Sequence, residues 1–484
     1  MAVMHRLFQL VLATALFHAS AVTAEDLKLP NLGESSTSLF SPEQEYQLGR
    51  AWLRVFRSQA PTLDDPLLQD YLEDQIYRLV THSELQDRRI DLVIVDNPVI
   101  NAFAVPGGVI GVHTGLLLYA QSEDELGTVL AHEIAHLSQR HFSRGIENAQ
   151  ATQPITLAGL LAGAVLVATT GGAAGMAALS AAQAAAMDAQ LRHSRSAEQE
   201  ADRLGMQTMV KAGMDPHAAP AMFERMLQSS RYSSANRIPE FMRTHPLSES
   251  RISDTRNRAR QYPKQVRAPK LSYQLMRARI QVHHADTPQR AAEMFRDSLK
   301  GRPLSEDGAR YGLALSLIEA GRPAEAQKEL DQLIAADPTR VEYVIAQAEL
   351  DMSIGEAQAA ARALQRELAL YPGNHALTMS YARALLMNEQ AHIAEEVLID
   401  QSHLRPKDPG LWYLLAEVQG LSGNIAGLHR SRAEYFILNG VLDEAERQLN
   451  YAMKLSKNDY HSAAQISQRL RDVSELRTRM EDFG

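Results

Sequence analysis

The sequence predicts a mainly α protein: an α+β domain with a small sheet, followed by an α-solenoid of short helical repeats. Three observations carry this. A 34-residue period governs the C-terminal half, hydrophobic spacing drops from helical to alternating near residue 91, and a capped amphipathic helix follows the alternating stretch. A length of 484 residues exceeds what one core organises and implies more than one domain.

The first residues read as an export signal. His5 and Arg6 precede an apolar run from Leu7 to Phe17, and Val22 and Ala24 fit the small positions ahead of a cleavage site. Residues 1–24 are therefore expected to be removed after Ala24, with a mature start at Glu25 in the periplasm. There is no cysteine, so neither a lipid-modified start nor a disulfide framework is expected, and stability must come from cores and metal. Hydrophobic residues make up 45% and charged residues 22%, an ordinary globular mix. The net charge of −9 and the lack of a Lys/Arg block argue against nucleic-acid binding.

Residues 25–260 form the expected first domain. Ser41, Pro42 and Gln44 give a cap, a first helical residue and a capping box, and Leu48, Trp52 and Val55 continue the helix. A second helix is expected from about Leu67 to Val80. Then the period changes. Asp91–Val95, Asn101–Val105 and Val109–Val112 read as strands, the last two joined by a turn at Pro106-Gly107-Gly108. The strand at Val109–Val112 is expected to be an edge that can pair with an extended peptide, against the alternative of an internal strand. Next, Ser122 and Glu125 form a second capping box, and Leu126, Val129, Leu130, Ile134 and Leu137 mark a helix's core face. Further helices are expected with caps at Ser196 and Asp215.

Residues 154–187 contain no charged side chain. They are long enough to span a bilayer, but Ala/Gly-rich composition and the Thr169–Gly172 interruption favour two short helices over the cleft or on a membrane surface. Two prolines make 261–274 a linker. Residues 271–484 are the repeat domain: Pro338, Pro372 and Pro406 are evenly spaced, as are Ala314, Ala348, Ala382 and Ala416, and Ala292, Ala326, Ala360 and Ala394. That spacing is the tetratricopeptide register, in which small residues let paired helices approach. A generic bundle would not hold one period at three columns. Around Ala433 and Ala445 the register slips, as in a degenerate repeat plus cap.

The chemistry concentrates at His132-Glu133-Ile134-Ala135-His136. Positions four apart share a helix face, so both imidazoles can grip one metal, and Glu133 beside them can take a proton from water. The motif alone also fits an exposed His/Glu face. The preceding sheet, the opposite core face and a third ligand downstream favour the metal. Glu198 and Glu200 are about 200° apart on a helix and cannot both face it. Glu198 and Asp202 share a face, so Glu198 is the expected ligand, Asp202 the partner of a ligand imidazole, and Glu200 solvated. His141 points away and reads as structural, and His283-His284 reads as solvated rather than metal-binding.

The ordered motifs, His132 to His136, Arg140-His141, Glu198 to Asp202, and His245-Pro246 to Arg251, resemble the gluzincin family of CAAX prenyl proteases and HtpX-like peptidases. The resemblance implies a zincin-type metalloprotease domain with one Zn2+ held by His132, His136 and Glu198, and Glu133 as general base. It also puts His245 and Arg251 at the active site, His245 either stabilising the oxyanion or filling the open metal position. Together with the signal peptide and repeats, it implies hydrolysis of misfolded or stalled outer-membrane proteins in contact with the β-barrel assembly machinery. The rival expectation is a chaperone or scaffold with a mostly silent zinc site.

Overall fold

The computed structural model describes residues 41–144, 195–232, 240–264 and 268–482. The expected signal peptide at 1–24 and the charge-free stretch at 154–187 lie outside them. The N-terminal helix α1 (Pro42–Gln59) starts with the expected reciprocal cap: Ser41 Oγ accepts from the Gln44 amide, and Gln44 Oε1 accepts from the Ser41 amide at 2.8 Å. Helix α2 (Pro66–His82) starts on Asp65, whose carboxylate accepts from the Leu68 amide.

Three strands follow: β1 (Asp91–Val95), β2 (Ala102–Val105) and β3 (Val109–His113). Their order is β1-β3-β2, with β1 parallel and β2 antiparallel to β3. The strand expected at an edge is therefore the central one; β1 and β2 are the outer strands, and Pro61–Leu63 covers part of the outer side of β1 through an antiparallel bridge from Thr62 to Val95. Alternation shows both faces covered. Leu92, Ile94, Ile110 and Val112 enter the main core with α2, while Val93, Val95 and Val109 pack on Leu48, Trp52 and Phe56 of α1. Gly111 is required at the centre because a Cβ there would meet the Phe103 ring at 2.0 Å.

A short helix α3 (Thr114–Tyr119), not foreseen, leads into α4 (Glu123–Ser138), which carries the His-Glu motif. Ser122 Oγ caps the Glu125 amide, but the Glu125 carboxylate accepts from the Gln121 amide at 2.7 Å and pairs with Arg225, so only half the expected box forms. Helix α5 (Arg195–Lys211) lies across α4; Ser196 sits inside its first turn rather than ahead of it. Then come α6 (Ala218–Tyr232), α7 (Glu240–Thr244) and α8 (Glu249–Ala259).

The repeats are successive helices joined by short turns: α9 (Leu271–His283) and α10 (Pro288–Lys300), α11 (Glu306–Glu319) and α12 (Pro323–Ala336), and α13 (Val341–Ser353) and α14 (Ala357–Leu370). After these come α15 (His375–Met387) with α16 (Ala391–Leu404), α17 (Pro409–Ser422) with α18 (Ile425–Leu438), and α19 (Leu442–Leu455) with α20 (Tyr460–Asp482). The predicted alanine columns are buried: Ala314, Ala348 and Ala382, and Ala326, Ala360 and Ala394, are at most 1% exposed. Where the register slips, Ala433 and Ala445 build a separate core with Leu449, Ile466 and Val473.

Residues 271–274, expected in the linker, belong to α9. Its N-cap Lys270 makes no side-chain cap, so the sequence offers no start signal there. The described residues fall in one unit, and a single core runs from Leu68 and Leu72 through Tyr273 to Leu415. Buried Tyr273 donates to the Ala120 carbonyl at 2.8 Å, and Arg279 pairs with Asp65 at 2.7 Å. Further along the array, Arg405 pairs with both Asp70 and Glu73 of α2.

Candidate metal centre

Helices α4 and α5 approach closely because small residues face each other: Ala135 packs on Ala201, and a Cβ on Gly205 would come within 3.1 Å of the His132 backbone nitrogen. This contact delivers Glu198 and Asp202 to the histidines. His132, His136, Glu198 and His245, all buried, each turn one donor atom to a common point. His136 Nε2 is 3.0 Å from His132 Nε2, His132 Nε2 is 3.4 Å from Glu198 Oε2, and His136 Nε2 is 3.5 Å from Glu198 Oε1. His245 Nδ1 lies 3.4 Å from His132 Nε2 and 3.1 Å from Glu198 Oε1. A tetrahedral ion with bonds of 2.0–2.2 Å has edges of about 3.4 Å between ligand atoms. The donor set and its spacing fit such an ion.

The surroundings hold each ligand. His132 Nδ1 is 3.0 Å from Asp202 Oδ1, close enough for the carboxylate to hold the imidazole. Arg251 grips Asp202 in bidentate fashion, both bonds 2.8 Å, reaches Glu198 Oε2 at 2.8 Å, and donates to the Pro246 carbonyl at 3.0 Å. Its guanidinium is thus engaged by the carboxylates of Asp202 and Glu198 and by a backbone carbonyl. His141 Nδ1 meets His136 Nδ1 at 2.8 Å, and His141 Nε2 meets Glu200 Oε2 at 3.1 Å. Glu200, expected to be solvated, ends a chain leading back to the metal ligand. That role was missed because it needs the turn after α4, where Arg140 adopts φ 49°, to bring His141 back.

Electrostatics follow from burial and partners. Burial opposes charge on His132, but Asp202 and Glu198 outweigh it and raise its pKa to about 9. Burial also opposes ionisation of Glu198, yet His245 and His132 hold it well below the carboxylate range. Asp202 is likewise lowered, burial being overcome by Arg251 and His132. Glu133 goes the other way: burial raises it, only partly offset by His245, His132 and the Ala104 amide of β2.

With this geometry, similarity to known proteins becomes specific. Residues 66–259 match peptidase family M48, and residues 283–350 match a tetratricopeptide repeat. The β-barrel assembly-enhancing protease of Escherichia coli K12 is 34% identical over 94% of this chain and 93% of its own length. The chain belongs to this protease family. A putative β-barrel assembly-enhancing protease of Vibrio cholerae is 35% identical, with 89% of each chain covered. The mitochondrial metalloendopeptidase OMA1 of Schizosaccharomyces pombe is 31% identical over 38% of this chain and 50% of its own length. As a member of this protease family the chain is a metalloprotease with C-terminal tetratricopeptide repeats. No helix among the described residues is long and apolar enough to cross a membrane. Those residues hold a second convergence of donors, Asp96, His283 and His284, where solvated histidines were expected.

Proposed function

We propose that this chain is a zinc endopeptidase of the periplasm that cuts misfolded or stalled outer-membrane proteins and assists their assembly through its repeats. The reading rests on one observation above the others: four buried donors converge within 4.8 Å of one another beside the buried carboxylate of Glu133. His132, His136 and Glu198 would hold the ion, and imidazole and carboxylate donors with an open position suit zinc. Zinc, when bound, would polarise the scissile carbonyl and make water acidic enough to lose a proton near neutral pH. Glu133, its pKa raised by burial, takes that proton and returns it to the leaving amine. The Ala104 amide orients Glu133, and the β2 edge beside α4 offers backbone groups for an extended substrate. Asp202 and Arg251 act as positioning residues for His132 and Glu198.

The partners, outer-membrane proteins and the β-barrel assembly machinery, are supported by the names of the relatives. The compartment is supported by the export signal read at 1–24, and peripheral membrane contact by the charge-free 154–187. Residues 25–260 are the protease part and 271–484 the repeat part. A resting, closed site is favoured by His245, whose imidazole stands between the metal position and Glu133, with Nε2 3.5 Å from Glu133 Oε1. Elemental analysis of the purified chain, together with degradation of unfolded outer-membrane proteins, tests the reading. A chain without bound zinc, or a zinc-loaded chain inert towards these substrates under all conditions, would leave the scaffold alternative.

A further inference from the structure

Where the sheet meets the repeats, two adjacent histidines converge on one carboxylate. His283 is the last residue of α9 and His284 its C-cap; Asp96 follows directly on β1. His283 Nε2 lies 2.9 Å and His284 Nε2 3.6 Å from the same oxygen, Asp96 Oδ1. One ligand atom from each residue lies within 4.8 Å of the others. Thr114 Oγ1 adds a neutral oxygen 2.8 Å from His284 Nε2, and the Asn97 backbone on the Asp96 loop fixes that hydroxyl through its carbonyl at 3.0 Å and its amide at 3.1 Å.

We propose that Asp96, His283 and His284 form a second, structural transition-metal site that ties the end of the sheet to the first repeat. The donor edges at Asp96, 2.9 and 3.6 Å, bracket the tetrahedral value of about 3.4 Å. Two further features point to a cation. Both histidines sit at the C-terminal end of α9, where the helix dipole presents its negative pole. Asp96 supplies the one carboxylate. Two imidazoles and one carboxylate select zinc, nickel or copper over calcium and magnesium, which take oxygen ligands. The histidines are partly exposed, His283 38% and His284 17% at their side chains, so this ion exchanges with solvent more readily than one in the buried centre.

Bound there, the ion cross-links two distant stretches of chain and stabilises the junction by binding the folded form alone. It takes no part in proteolysis, which separates this site from the catalytic one. The test is zinc stoichiometry of the full chain after equilibrium dialysis against a small excess of zinc in 5 mM magnesium, by elemental analysis and thermal melting. Two equivalents are expected for the unaltered chain. One is expected for the His283→Gln/His284→Gln variant and for Asp96→Asn, each with proteolytic activity retained and with the zinc-dependent rise in Tm reduced. The single carboxylate change guards against loss of fold in the double variant. One equivalent in the unaltered chain, two in both variants, or displacement of the second equivalent by magnesium overturns the proposal.

Discussion

His141 Nε2 lies 3.1 Å from Glu200 Oε2, while the other ring nitrogen of His141 faces Nδ1 of His136 at 2.8 Å. Glu200 therefore acts on the metal centre without facing it. A carboxylate fixes the tautomer of one imidazole, which in turn orients the next. Glu198→Gln removes a donor and should abolish tight metal retention. Glu200→Gln should weaken affinity more modestly, by about tenfold, at the low end for outer-shell partners. Competition with a chromophoric chelator measures both, and equal losses would mean that Glu200 is itself a donor.

The pKa of His132 gives the metal site a pH dependence. In the metal-free chain Asp202 and Glu198, working against burial, raise His132 to about 9, so the proton is favoured and must leave before the ring can bind an ion. Affinity is therefore lost as pH falls below about 9. It should rise by about tenfold per pH unit from 7 towards 9 and then flatten. Asp202→Asn removes one cause of the raised value and should make the slope shallower. Zinc affinities measured across that range check the sign; an affinity that falls towards pH 9 in the absence of hydroxide precipitation contradicts it.

Tyr273 joins the two halves of the chain. Fully buried, it packs in the shared core and donates to the Ala120 carbonyl at the end of α3. Tyr273→Ala should cost about 3–5 kcal/mol, as for other large buried side chains, and Tyr273→Phe about 1–2 kcal/mol from the unsatisfied carbonyl. Chemical denaturation reads both. By the same reasoning a chain cut after residue 260 exposes Leu117, Leu68 and Leu72 to water and should aggregate or melt far earlier than the full chain. A cut chain as stable as the whole would mean that the halves fold independently.

What the sequence revealed was local, and what it withheld was long-range. Helix caps at Ser41 and Ser122, the alanine columns of the repeats and the shared face of Glu198 and Asp202 depend only on spacing along the chain. Strand order depends on which neighbour pairs, so β3 could be recognised as a strand without its central place being known. The run Val109-Ile110-Gly111-Val112, without a polar residue between its apolar ones, was the available sign, since a strand covered on both faces reads as a continuous apolar run. The partners of His141, Arg251 and His284 lie 59, 49 and 170 residues away, beyond any spacing rule.

Glu133→Gln should keep metal content unchanged while removing proteolysis. Its carboxylate lies beside the donors and not among the four that converge, and an amide cannot accept the proton. The loss in kcat should be about 10²–10⁴-fold. Degradation of an unfolded substrate by a metal-replete Glu133→Gln protein at the unaltered rate would remove Glu133 from the mechanism.

His245 decides whether the site rests closed. Its Nδ1 is one of the four converging atoms, its Nε2 is 3.5 Å from Glu133 Oε1, and its ring stacks on Phe241 with centroids 4.7 Å apart. An imidazole there occupies the space a nucleophilic water needs, between the ion and the base that would activate it. His245 follows the short helix α7, its amide bonded to the Phe241 carbonyl, and Arg251 holds the next carbonyl, that of Pro246. His245→Ala should therefore open the fourth position and raise self-cleavage and degradation of casual substrates, while Phe241→Ala, which removes the stacking surface, should do so more weakly. If His245 instead stabilises the oxyanion, the same substitution lowers turnover by about a hundredfold or more. Cobalt substitution adds an independent reading: loss of a nitrogen donor should alter the visible spectrum of the His245→Ala protein. A changed spectrum with raised proteolysis supports the closed resting site, whereas an unchanged spectrum with unchanged rate would mean that His245 neither gates the metal nor assists the reaction.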